Sequence, residues 1–251
     1  MEKRMDIQNK LTISNLLLSY PQLLELFEKE KIDYYCNGNL SLAELSSQRN
    51  YSEAQKEKLY KEIDGAILNQ SENHSKINPA YQSLKELCGY INRVHHEFVV
   101  KEVQEITELL LKLKEGEESS YPELDEALVL TEKLFNEIKA HLSKEETVFF
   151  PLIRYLEDCK RFAEKPHLGR NRPMEKIVRL LESDHTLSTK VIAQIIKTLT
   201  TIKTNHKDAG IVKILVKKFE RVEKDLHIHI HLENNILFPK GVELENNLYK
   251  T

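Results

Sequence analysis

Apolar residues recur at a helical period over most of the chain. Late in the sequence, Leu215, Phe219, Val222 and Leu226 are spaced by 4, 3 and 4, which draws one stripe along a helix. Continued by 3, 4 and 3, the stripe lands on His229, Glu233 and Ile236. The stretch "HIHIHLENNILFP", His227 to Pro239, alternates on its face like a strand. The upstream phase instead predicts a helix with His229 and Glu233 inward and His227 and His231 on the opposite, solvent side.

Three other segments behave alike. Leu124, Ala127, Thr131, Leu134 and Ile138 lead to His141, Glu145 and Val148. Met174, Val178 and Leu181 lead to His185, Ser188, Ile192 and Ile195, with a rival stripe through Ile177, Leu180, Asp184, Leu187 and Val191. Leu84, Cys88 and Ile91 lead to His95 and Phe98, although Val94 fits a neighbouring stripe and His96 adjoins. Helices are therefore predicted over 80–114, 122–146, 173–203 and 209–236. The connections "EGEESSYP" and "TNHKDAG" are short, and a longer one spans Lys160 to Pro173. Antiparallel neighbours follow, hence an all-α, up-down four-helix bundle over 80–251.

Before it, residues 1–66 read as a small helical N-terminal domain. "ISNLLLSYPQLLELFEKE" is amphipathic and interrupted near Pro21; Ser41 and Glu44 form a capping-box pattern at the start of "LSLAELSSQ". "IDYYCNGNLSL" is a turn-rich connection between them, and the polar residues 67–79 read as a linker.

Bulk properties narrow the function. With 251 residues and 7 each of Gly and Pro, the chain can bury a real core and favours helix. A net charge of −3 gives no pull toward nucleic acid or anionic membrane, and Lys213 to Arg221 reads as a solvated helix face. No apolar run is long enough to span a bilayer, and "MEKRMDIQNK" lacks a signal-peptide core. Cys36, Cys88 and Cys159 are odd in number and far apart, which fits a reducing, cytoplasmic setting.

The ten histidines carry the chemistry. A single inward histidine reads most simply as a core residue satisfied by one hydrogen bond. The set is different: each bundle helix offers one inward histidine, and two add a glutamate one turn later. Buried carboxylates need partners or a metal. The remaining histidines (His74, His96, His167, His206, His227 and His231) are expected on the surface or in loops. "HLSKEETVFFP" and "HIHLENNILFP" share His-x3-Glu-x4-Phe-Pro 88 residues apart, an internal repeat implying a pseudo-twofold site.

Six inward groups exceed one tetrahedral zinc. Two metals with both glutamates bridging and an oxo or hydroxo bridge leave one open position on each octahedral ion. Mixed imidazole and carboxylate ligation suits iron, then manganese. O2, NO, peroxide or water could take the open positions.

These segments, with "ESDH" (Glu182 to His185) and "RVHHE" (Arg93 to Glu97), resemble hemerythrin-like di-iron domains. "IDYYCNGNLSL" resembles the short domain preceding that bundle in the RIC (repair of iron centres) family. The resemblance covers almost the whole chain. It implies a non-haem di-iron centre held by His95, His141, Glu145, His185, His229 and Glu233, the residues the stripes select. It also implies repair of iron-sulfur clusters after nitrosative or oxidative damage, by iron donation, NO handling or both. The expected partners are damaged or apo iron-sulfur proteins and small ligands such as NO or O2; a homodimer is compatible. Where that family has adjacent cysteines followed by Gly-Gly, this chain has Tyr34-Tyr35-Cys36-Asn37-Gly38. Cys36 is thus a candidate redox or iron-transfer thiol without a neighbour, beside a purely structural reading.

Two other classes compete. A hemerythrin-like sensor or carrier of O2 or NO is disfavoured by the N-terminal domain and by Thr189, where oxygen carriers have a further histidine. A ferritin-like oxidase draws Glu-x-x-His from two helices. Only Glu182 to His185 fits, and Glu182 falls off the stripe.

Overall fold

The structure, a computed structural model, describes residues 11–68, 82–115, 122–167, 174–202 and 209–250. His74, His206 and most of the expected linker lie outside the described residues. The chain divides into two compact units: 1–82 with 230–239, and 83–229 with 240–251. The described residues are helical apart from turns and one isolated antiparallel bridge, Thr12 to Ser41.

The first unit is built from short helices. Thr12 caps α1 (Ile13–Ser19) by accepting from the Asn15 N–H. The expected interruption at Pro21 is a 3-10 turn, Pro21–Leu23, which leads into α2 (Leu24–Lys29). The expected capping box forms at α3 (Leu42–Gln48): Ser41 Oγ accepts the Glu44 N–H while the Glu44 carboxylate accepts the Ser41 N–H. α4 (Glu53–Leu68) completes the set. Ile13, Leu16, Leu17, Leu23, Phe27 and Ile63 are buried.

The loop 32–40 of this unit docks on residues 230–239, which also belong to it. Asn234 Nδ2 donates to the Tyr35 carbonyl at 3.2 Å and Asn235 Nδ2 to the Tyr34 carbonyl at 3.1 Å. A Cβ on Gly38 would lie 2.5 Å from the Tyr34 carbonyl oxygen and 2.6 Å from Asn235 Oδ1. Only glycine fits that approach. Tyr34 is fully buried, and its hydroxyl donates to Glu28 at 2.6 Å. Its pKa rises well above the usual value, first because it is buried and then because Glu28 is anionic.

The second unit is the bundle. α5 (Leu84–Ile91) starts at the Ser83 cap, and the Glu157 carboxylate accepts the first-turn Leu84 and Lys85 N–H groups. A π turn, Asn92–His96, links α5 to α6 (Glu97–Lys114). α7 (Pro122–Lys144) passes through a π turn, Glu145–Phe149, into α8 (Phe150–Phe162). α9 (Met174–Thr201) has no such break. α10 (Ala209–Leu232) continues through a third π turn, Glu233–Leu237, into α11 (Phe238–Lys250).

The second and fourth helices thus run on past their expected ends at 146 and 236. Both extensions carry a Phe-Pro pair, Phe150-Pro151 and Phe238-Pro239, just after a π turn. Proline in a regular helix loses a hydrogen bond and crowds the carbonyl four residues back. A wide turn directly upstream, closed by the Phe150 N–H on the Glu145 carbonyl and the Phe238 N–H on the Glu233 carbonyl, lets the helix continue. The sequence repeat is therefore a repeat of local structure.

The apolar core joins Val99, Val103, Ile106 and Leu110 of α6, Leu124, Leu134 and Ile138 of α7, Ile192, Ile195 and Leu199 of α9, and Leu215, Phe219 and Val222 of α10. Each such side chain contributes roughly 1.5–3 kcal/mol on burial. Along α6 and α9 the core follows the histidines; along α7 and α10 it precedes them. Antiparallel neighbours thus bring the histidines to one level. In α9 the stripe through His185 is the buried one, while the rival's Leu180 and Leu187 are 63% and 44% exposed.

Candidate metal centre

At that level the second unit gathers imidazoles and a carboxylate. His96 and His229 approach with Nε2 atoms 3.2 Å apart, and His141 and His185 with Nε2 atoms 3.0 Å apart. Between the pairs lies Glu145, fully buried. Its Oε2 is 3.3 Å from His96 Nε2 and its Oε1 is 3.3 Å from His141 Nε2. One carboxylate thus offers one oxygen to each pair.

Carboxylates behind the rings fix their orientation. His96 Nδ1 lies 2.8 Å from Glu146 Oε1, so Nδ1–H donates outward and the Nε2 lone pair faces Glu145. His141 Nδ1 lies 3.4 Å from Asp184 Oδ2, which also accepts from Lys144 at 2.7 Å. The Asp184 carboxyl is held below its ordinary pKa; burial opposes this, and the hydrogen bonds from Lys144 and His141 outweigh it. The His229 pKa falls well below the usual value, through burial first and then the neighbouring His96. A neutral imidazole keeps its lone pair for a metal.

Those contacts fit a cation. An imidazole lone pair and a carboxylate oxygen at 3.3 Å repel each other unless a positive charge stands between them. With metal–nitrogen bonds of about 2.1 Å, two ligands on one ion sit about 3.0–3.4 Å apart, which matches both imidazole pairs. Two groups of potential ligands result: His96, Glu145, His229 and Glu233; and His141, Glu145, His185 and Glu233. Within each group the ligand atoms lie within 4.8 Å of one another, and all these residues are buried. Glu233 follows His229 by one turn on a continuous helix, as Glu145 follows His141.

Residues 90–241 match the family model for the hemerythrin HHE cation binding domain. The chain belongs to the hemerythrin HHE family. Similar proteins extend the likeness past the HHE bundle. An "iron-sulfur cluster repair protein ScdA" of Staphylococcus epidermidis is 24% identical, over 91% of this chain and 96% of that one. A "probable iron-sulfur cluster repair protein" of Haemophilus influenzae is 27% identical, over 91% and 95%. An "iron-sulfur cluster repair protein YtfE" of Musicola paradisiaca is 25% identical, over 93% and 97%.

Of the six HHE ligands expected from sequence, His141, Glu145, His185, His229 and Glu233 fall in these groups. His95 does not, and His96, expected on the surface, does. The π turn at Asn92–His96 leaves both buried. His95 turns Nδ1 to Asp225 Oδ2 at 3.0 Å and stacks on His229 with ring centres 5.6 Å apart. The same widening explains two smaller misses: after Glu145 the stripe runs to Phe149, leaving Val148 50% exposed, and after His95 it runs to Val99 rather than to half-buried Phe98.

His227 and His231 are buried, against expectation. For His231 the reason is the N-terminal loop, whose Tyr34 packs edge-on against the imidazole with centres 5.7 Å apart. Asn235 Nδ2 also donates to His231 Nδ1 at 3.0 Å. His167 is exposed, as expected. Cys36 is half-buried and not in a disulfide; its N–H donates to Asp33 Oδ1 at 2.8 Å. No helix among the described residues is long and apolar enough to cross a membrane.

Proposed function

We propose that this chain is a cytoplasmic di-iron protein that restores iron-sulfur clusters damaged by nitrosative or oxidative stress. The observation that carries the reading is Glu145, whose two oxygens face two separate imidazole pairs at 3.3 Å each. A shared carboxylate of this kind suits two metals rather than one. His96 and His229 would hold one iron and His141 and His185 the other, with Glu145 and Glu233 bridging. The mixed nitrogen and oxygen donors favour iron, with manganese second.

When bound, such a pair supplies exchangeable iron and open positions for NO or O2. The protein's own part is orientation and enclosure. Glu146 and Asp184 accept Nδ1 protons and so aim the Nε2 lone pairs inward. Burial keeps His229 neutral. The repair role is supported by the names of relatives that align along more than nine-tenths of both chains. Damaged or apo iron-sulfur proteins are then the partners, and Cys36 is the candidate thiol for handing iron on.

The test is transfer. The iron-loaded chain is mixed with an apo iron-sulfur protein, and cluster-dependent activity is followed beside iron lost from the donor. Recovery matched by loss of iron supports donation. Rapid NO consumption with no transfer would move the reading to an NO-handling or sensing protein.

A further inference from the structure

His95 has the features of a metal ligand yet stands outside both groups. It is fully buried, and its Nε2 has no hydrogen-bond partner among the described residues. Its Nδ1–H donates to Asp225, just as His96 Nδ1–H donates to Glu146. The tautomer is thereby fixed, and a lone pair is left on a buried nitrogen, which costs free energy unless something uses it. The ring lies parallel to His229, at an interplanar angle of 7°, beside the imidazole that pairs with His96.

The backbone at this point allows either neighbour to face inward. A π turn is an α-helix carrying one extra residue. Moving that extra residue along the helix changes which of two adjacent side chains points to the core. His95 and His96 are the last two residues of such a turn. His96 also lines a cleft of ≈ 450 Å³ together with Asn92, Glu97, Lys101, Gln104 and Glu146. Glu146 is 41% exposed there, so His96 is tethered to a group that solvent reaches. Asp225, behind His95, is only 13% exposed.

We propose that His95 and His96 are alternative ligands for one metal position: His96 faces it in this structure, and His95 takes it over when His96 turns toward the cleft. The inference rests on the di-iron reading above. It makes the His96 and His229 position the exchangeable one, because a second imidazole stands beside it. Release of iron through the cleft then need not dismantle the His141 and His185 position.

The test counts iron per chain after equilibration with a competing chelator, in full-length protein. His95→Ala and His96→Ala singly should each retain close to the wild-type content. The double variant should fall to about half of it, since one position keeps its ligands. Asp225→Asn, which leaves no cavity, should be silent alone and lower iron only when combined with His96→Ala. A fall to half in either single variant would overturn the inference, because one histidine would then be indispensable. Full retention in the double variant would overturn it as well, because neither would then be a ligand. Wild-type protein that holds no iron would contradict the di-iron reading itself; wild-type protein with two irons and a depleted single variant would contradict only this inference.

Discussion

His96 and His229 bring their Nε2 atoms to 3.2 Å, although 133 residues separate them in the chain. Glu146 accepts the only proton a neutral His96 carries, so at His96 a lone pair faces its partner. The matching approach of His141 and His185 at 3.0 Å makes the arrangement a pair of pairs, with Glu145 shared between them.

Glu146 should matter as an orienting group. Glu146→Gln keeps the side-chain volume but weakens the hold on His96 Nδ1. In a His95→Ala background, where no second imidazole can take the place of His96, metal affinity is expected to fall roughly 10–100-fold, with helical circular dichroism unchanged. Competition against a chelator of known affinity measures it. Unchanged affinity would mean that Glu146 does not set the His96 tautomer.

The orienting carboxylates and the place of His96 beside His229 are the parts of the candidate site that the sequence conceals. The stripes through Leu226, Ile138 and Leu181 led directly to His229, His141 and His185, because one face of each helix meets the core and the period is regular that far. A π turn adds a residue, and the regular period fails just where the candidate ligands lie. Hence the stripe selects His95 where the structure turns His96 toward His229, and Val148 where it buries Phe149. The helix ends at 146 and 236 were misplaced for a related reason: Pro151 and Pro239 read as stops unless a wide turn precedes them. His231 was placed on the surface because amphipathicity assumes water on the far side of the helix. Tyr34 and Asn235 of its own unit cover it instead. The small N-terminal helices were legible at Pro21 and at the Ser41 and Glu44 capping box, where local chemistry decides.

His231 should give the protein an acid-sensitive stability. Burial lowers its pKa to about 4, only partly offset by a backbone hydrogen bond at Tyr34, against 6.5 for an exposed imidazole. The unfolded chain therefore binds a proton that the folded one refuses between those values. Above pH 6.5 there is no penalty; as pH falls from 6.5 toward 4 stability declines, by about 3 kcal/mol in all from this group. His231→Gln should flatten that part of a urea-denaturation pH profile while retaining iron. An unchanged slope would exclude His231 as its source.

The docking of loop 32–40 depends on a close approach at Gly38. Gly38→Ala places a Cβ against the Tyr34 carbonyl and Asn235, and a loss of about 1–3 kcal/mol is expected from overpacking. Asn235→Ala removes the hydrogen bonds to the Tyr34 carbonyl and to His231, at about 0.5–1.5 kcal/mol each. Both changes should speed amide exchange at residues 32–40 and leave the α6, α7 and α9 core protected. Equal loosening of that core would show that the two units do not open separately.

Glu145 is the most exacting point, since one carboxylate is assigned to two metals. The decisive measurement is iron per chain in anaerobically purified wild-type protein and Glu145→Ala, determined by elemental analysis on preparations of matched helical content. About two irons per wild-type chain are expected, as ligand counting requires, and both should be lost from the variant or stripped by a weak chelator. A single tightly held zinc in the wild type, or a variant that loses one iron and keeps the other firmly, would contradict the shared-carboxylate centre.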